Sequence, residues 1–219
     1  MVGGGSAPIY ARRSTEAGIV SFDFVDLTTG TAVKTYHGGQ LNGGVFTLNT
    51  APFYSDEIGD HEAFNQGTDF IKKHDVDFDL PFDKTLTIKG EILINYSTAL
   101  NDTAGGGFGS GTKTTAIIKK WDGTTETTLL TIEGTEWGVA DGAVRSKIST
   151  LGGTIPQTTF SRGETLRITM EVWVHGSGGT SQGTISFAFD PMSRTFANFA
   201  TTDQDETSIT FRIPFRIDL

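Results

Sequence analysis

The residues best equipped for chemistry are carboxylates. Asp75, Asp77 and Asp79 alternate with Val76, Phe78 and Leu80, so a strand through them places three carboxylates on one face. Such oxygens suit calcium, but calcium sites gather ligands from a tight loop, and alternate strand residues stand about 7 Å apart. The preferred reading is a solvent-facing strand whose charges oppose edge-to-edge aggregation. Asp56, Asp60, His61 and Glu62 form a second group. A loop carrying them could bind a cation, and a solvated loop is the simpler expectation. His37, His61, His74 and His175 show no His-x-x-x-His spacing. There is no cysteine and no Gly-x-Ser-x-Gly elbow. A glycosidase pair is set by the fold, and nothing here selects one. The expectation is no catalytic residue, no metal, no cofactor and no enzyme.

The glycine-rich run 105–111 leads into strand-like residues and lacks the Gly-Lys-Ser/Thr ending, so it is not a phosphate cradle. Asn95-Tyr96-Ser97 and Asn101-Asp102-Thr103 match the glycosylation pattern, a match expected by chance. Trp121, Trp137 and Trp173 with Tyr36, Tyr54 and Tyr96 would suit a sugar-stacking platform, against the commoner role of packing. Trp173 falls on the polar side of its strand, and is expected either in water or against another subunit.

The elements that must position these groups are strands. Leu166, Ile168, Met170, Val172 and Val174 alternate with polar partners, giving one apolar face. Ile185, Phe187 and Phe189 resume the pattern after the glycine-rich segment 176–183, and together the two runs predict a long antiparallel hairpin. Val76 to Leu80, Leu86 to Tyr96 and Ile209 to Leu219 alternate likewise. Pro214 requires an edge position or a bulge. Asp122-Gly123 predicts a hairpin between Thr114–Trp121 and Thr125–Gly134. His37-Gly38-Gly39, Asn42-Gly43-Gly44 and Gly152-Gly153 read as turns, and Ala143–Leu151 as a strand. Residues 50–71 read as a surface loop, with one helical turn capped by Ser55. Residues 1–18 read as a flexible arm, followed by a strand at Ile19–Val25.

This pattern, with roughly eight to ten strands and almost no helix, predicts an all-β antiparallel two-sheet jelly-roll-like sandwich at 19–219 behind an extended arm at 1–18. At 219 residues such a domain buries roughly 70% of its unfolded surface and needs no disulfide. A net charge of −9 argues against nucleic acid as a partner. No apolar run approaches the roughly 20 residues of a membrane span. Without a basic segment followed by an apolar one near Met1, the chain is expected to fold in the cytosol.

Three segments carry a resemblance: Phe82 to Gly90, Arg162 to Trp173 and Ile213 to Leu219, with Phe189-Asp190-Pro191 between the last two. They resemble jelly-roll virion proteins of tailed phages and related viruses, of the head-decoration or minor-capsid type, over about two-thirds of the chain from His74 onward. The resemblance implies a non-enzymatic structural protein that forms a symmetric homo-oligomer, commonly a trimer. It also implies assembly in the host cytoplasm and a seat on the major capsid protein of the shell, through the N-terminal arm or the base of the barrel. Arg12, Arg13 and Trp173 are the candidate subunit or shell contacts. The alternative is a carbohydrate-binding sandwich or the receptor-binding tip of a fibre. A β-sandwich glycosidase or lyase is a remote third.

Overall fold

The computed structural model describes residues 31–41, 43–65, 67–102, 109–176, 182–196 and 207–216. Twelve strands follow in order: β1 Thr31–Leu41, β2 Val45–Asn49, β3 Gly59–Asn65, β4 Ile71–Pro81, β5 Leu86–Asp102 and β6 Ser110–Trp121, then β7 Glu126–Glu133, β8 Trp137–Val139, β9 Val144–Phe160, β10 Thr165–Gly176, β11 Gln182–Ala188 and β12 Ile209–Arg216. There is no helix among the described residues. The expected arm at 1–18, with Arg12 and Arg13, and the strand at Ile19–Val25 lie outside the described residues.

By backbone pairing the strands form one mixed sheet, β3-β11-β5-β12-β1-β2-β4-β10-β6-β7, with β8 on β6 and β9 on β5. The expected pair of separate antiparallel sheets is therefore one continuous ladder. Its link between β2 and β4 is a single parallel bridge, Thr47 with Asp79. Strands far apart in that order still touch. The Phe78 ring of β4 lies 5.2 Å from Phe211 of β12, and Lys120 Nζ of β6 donates to the Thr159 carbonyl of β9 at 2.8 Å. The Tyr96 phenol of β5 bonds Thr114 of β6 and Ser149 of β9, and burial raises its pKa.

Alternation builds the core these contacts enclose. On β4, His74, Val76, Phe78 and Leu80 are buried while Asp75 is exposed. On β10, Leu166, Ile168, Met170, Val172 and Val174 are fully buried, as their spacing predicts. On β12, Ile209, Phe211 and Ile213 are fully buried. Pro214 sits where the pairing of β12 with β5 shifts register between Arg212 and Phe215, so the missing N–H is met by a bulge in a central strand and not by an edge. A second shift, between β5 and β9, falls at Gly90, whose φ of 123 is open to glycine alone.

The expected long hairpin is corrected. β10 pairs with β4 and β6, whereas β11 pairs with β3 and β5. A glycine-rich segment permits a change of direction without choosing the next partner, and here the chain crosses from one end of the ladder to the other. The turn expected at Gly152-Gly153 is also absent: β9 runs straight through, with Gly153 beneath Leu130 and Ile132, which a Cβ there would meet at 3.0 Å. His37-Gly38-Gly39 likewise lies inside β1. The Asp122-Gly123 hairpin and the antiparallel reversal between β1 and β2 are as expected. Residues 50–71 hold strand β3, and Ser55, instead of capping a helix, accepts the Gln40 amide at 2.9 Å.

Candidate functional site

The acidic strand is a hub of ion pairs. Register places Arg167 of β10 opposite Asp79 of β4. Its guanidinium donates through Nε to Asp79 Oδ1 at 2.8 Å and through Nη2 to Oδ2 at 2.7 Å. Nη1 reaches Glu126 Oε1 at 2.7 Å and Asp77 Oδ2 at 3.4 Å, and the Trp121 ring lies beneath the group, 4.3 Å away. Hydrogen bonding to Asp79, ahead of that to Glu126, raises the Arg167 pKa further above the arginine range. Thr169 donates to Asp77 at 2.5 Å, and Lys72 donates to Asp75 and Glu171. Asp77 and Asp79 are thus paired with Arg167 of the neighbouring strand, and Asp75 with Lys72 of β4 itself.

A second cluster sits where β3 meets β4. Asp60 and Glu62 stand two apart on β3, on the side where Phe64 is buried. The His74 side chain of β4, only 1% exposed, points between them. Ligand atoms of Asp60, Glu62 and His74 all lie within 4.8 Å of one another. His74 Nε2 is 3.2 Å from the Ile185 carbonyl, and a carbonyl only accepts, so Nε2 carries the proton. Nδ1 faces Asp60 Oδ2 at 3.5 Å. Lys73 Nζ lies 3.7 Å from Glu62, and the His61 amide donates to Asp60 Oδ1 at 2.8 Å.

Asp60 and Glu62 belong to the acidic group singled out in the sequence. His61 turns its ring toward Phe196, and Asp56 accepts the Gly43 amide. The missing member, His74, is remote from them in sequence, and its placement depends on strand order. The one available signal was a histidine at an apolar position of an otherwise clean alternation.

Two further polar groups are structural ties. Buried Asp190 accepts the backbone amide and side chain of Arg194, and Arg194 Nη2 donates to the Ser55 carbonyl at 2.7 Å. This pins segment 190–194 over the loop ahead of β3. His175 Nε2 donates to Glu136 at 2.8 Å. The indoles form no shared platform. Trp121, Trp137 and Trp173 lie on β6, β8 and β10, with Arg167, Lys147 and Lys72 over their respective rings. Trp173 is half-buried, donating to Glu171 Oε2 at 3.2 Å.

No protein-family model matches the sequence, and a comparison with curated proteins finds no match. Among solved structures, a CocE/NonD family hydrolase from Staphylococcus aureus aligns at 17% identity over 84% of this chain and 37% of its own, with a TM-score of 0.42. An aminopeptidase from a Thaumarchaeota archaeon aligns at 11% identity over 85% of this chain and 37% of its own, TM-score 0.45. The VP2 subviral particle of infectious bursal disease virus aligns at 13% identity over 86% of this chain and 38% of its own, TM-score 0.34. The chain thus spans little more than a third of each. The expectation that it is not an enzyme is corrected here, since hydrolases and an aminopeptidase stand among its structural neighbours. At these scores none of the likenesses assigns an activity or a particle to this chain. No helix among the described residues is long and apolar enough to cross a membrane.

Proposed function

We propose that the sheet is a jelly roll folded into two facing layers, and that the chain is a structural subunit of a virion, of the decoration or minor-capsid kind. In this reading it assembles as a symmetric homotrimer seated on the major capsid protein. The observation that carries the proposal is the difference between its two outer faces. The face of β4, β10 and β6 is charged, crossed by the Lys72, Asp77, Asp79, Glu126 and Arg167 pairs. The face of β9 and β5 is far less so. Its outward residues on β9 are Val144, Ser146, Ile148, Thr150, Gly152 and Thr154, paired in turn with Asn101, Ala99, Ser97, Asn95, Leu93 and Glu91, of which Ala99 and Ser97 are buried. From Val144 to Thr150 these pairs hold no charge, Glu91 and Arg212 bordering the far end of the patch, and Val144 and Ile148 are each 45% exposed.

A depletion of charge with scattered apolar groups is the mark of an interface core. β9 runs 17 residues and, among the described residues, hydrogen-bonds along one edge alone. A long edge without a cover invites pairing with another chain. The partner that suits both features is a second copy of the chain, through rotational symmetry that hides this face and leaves the charged one in water.

The test is solution mass by size exclusion with light scattering. The expected mass is three times the 23.5 kDa of one chain, falling to a single chain in Ile148→Lys with its β-sheet circular dichroism intact. A monomer at every concentration overturns the proposal. A trimer indifferent to lysine at both Val144 and Ile148 overturns the assignment of the face.

A further inference from the structure

The geometry points to a binding site for a divalent transition-metal ion, Zn2+ foremost, between Asp60, Glu62 and His74. A buried histidine ring carries the case. Its side chain is 1% exposed, and Nε2 is committed to the Ile185 carbonyl. A histidine that ligates a metal characteristically gives its other ring nitrogen to such an acceptor, which fixes the tautomer and turns the remaining lone pair outward. In the neutral His74 ring that lone pair is on Nδ1, and it faces Asp60 Oδ2. In that form two acceptors face one another at 3.5 Å, longer than the usual limit of about 3.2 Å for an N–H···O bond. A cation between them resolves the conflict.

The distances fit zinc. With bonds of about 2.1 Å, tetrahedral ligands stand about 3.4 Å apart, which the Nδ1–Oδ2 separation already matches. Bringing in Glu62 from within 4.8 Å needs only rotation of a side chain that is 46% exposed. The His61 amide holds the other oxygen of Asp60, leaving Oδ2 as the ligand. One imidazole and two carboxylates are a donor set for zinc and its neighbours more than for calcium or magnesium, which prefer oxygen alone. The fourth position is left to water. Lys73, 3.7 Å from Glu62, is a built-in competitor whose ammonium must swing aside when the metal enters.

The experiment is calorimetric titration of chelator-treated full-length chain with zinc chloride, with zinc-edge absorption spectroscopy on the complex. Removing His74 would leave a hole beneath β3 and endanger folding, so the exposed positions carry the test. One equivalent should bind, with a spectrum containing an imidazole nitrogen. Asp60→Asn and Glu62→Gln should each weaken binding by at least about tenfold, the lower end of what even an outer-shell partner is worth. Lys73→Met should tighten it about two- to fivefold, the worth of an exposed ion pair. Absence of saturable binding, an all-oxygen spectrum, or affinity unmoved in both carboxylate variants would overturn the site and leave His74 with a proton where the metal is placed.

Discussion

Arg167 is the residue whose loss should cost this protein most outside its apolar core. Replacing it with methionine keeps the packing against Trp121 and removes the charge. The bidentate bond to Asp79, whose side chain is 25% exposed, should contribute about 2 kcal/mol, within the range for hydrogen bonds between charged groups. Glu126, 34% exposed, adds about 0.5 kcal/mol after solvent screening. The indole beneath the guanidinium adds about 0.5 kcal/mol more. The expected loss is about 3 kcal/mol. A chain of 219 residues has an unfolding entropy near 0.46 kcal/mol/K at about 2.1 cal/mol/K per residue. The midpoint should therefore drop by about 6–7 °C. Urea unfolding and scanning calorimetry at matched protein concentration measure both. Arg167→Lys keeps the charge but not the fork, and should recover no more than about 1 kcal/mol. A loss below about 1 kcal/mol for the methionine variant, or full rescue by lysine, would show that the ladder is ornamental.

Further outcomes are expected. At Gly38 an added methyl would stand 2.8 Å from both Phe78 and Phe211 and 2.9 Å from Ile209, so Gly38→Ala should cost about 1–3 kcal/mol by overpacking, read in the same urea titration. Stability should also fall in acid. The Asp122 carboxyl is held low by the Thr125 and then the Thr124 amide, Glu126 by Lys119 and then Arg167, and Glu164 by Lys120 and then the Ser161 amide. Each folded pKa lies below the unfolded value, so their contribution is complete above the ordinary carboxylate range of about 4 and is lost as pH falls through the folded values. Glu126→Gln should flatten that decline in midpoint against pH, and an unchanged slope would refute the linkage.

Much of the fold was legible because alternation is a local property. The buried faces of β4, β10 and β12 could be read from spacing, and Asp122-Gly123 and Pro214 announced a turn and a bulge through the backbone they require. Partner choice is not local. Nothing in the stretch after Gly176 tells β10 to pair with β4, where Arg167 meets Asp79, and not with β11. Gly153 looked like a turn because the side chains that pack closely over it, Leu130 and Ile132, lie on another strand. The metal cluster was half visible for the same reason. Asp60 and Glu62 are neighbours in sequence, but His74 joins them only once β3 lies against β4.

The place of β12 has a consequence for synthesis. β1 lies between β12 and β2, and β5 borders β12 along half its length. While residues 209–216 are still to be made, β1 and β5 each display an unfilled ladder edge and the Phe78 ring lacks Phe211. A nascent chain in that condition is a sticky intermediate, since unpaired strands and uncovered aromatic surface drive association between copies. Closing the sheet must wait for contacts between its earliest and latest described strands, a topology that folds slowly. Until β12 is available the central gap stays unfilled, and shielding over that interval governs how much of the protein reaches the native state.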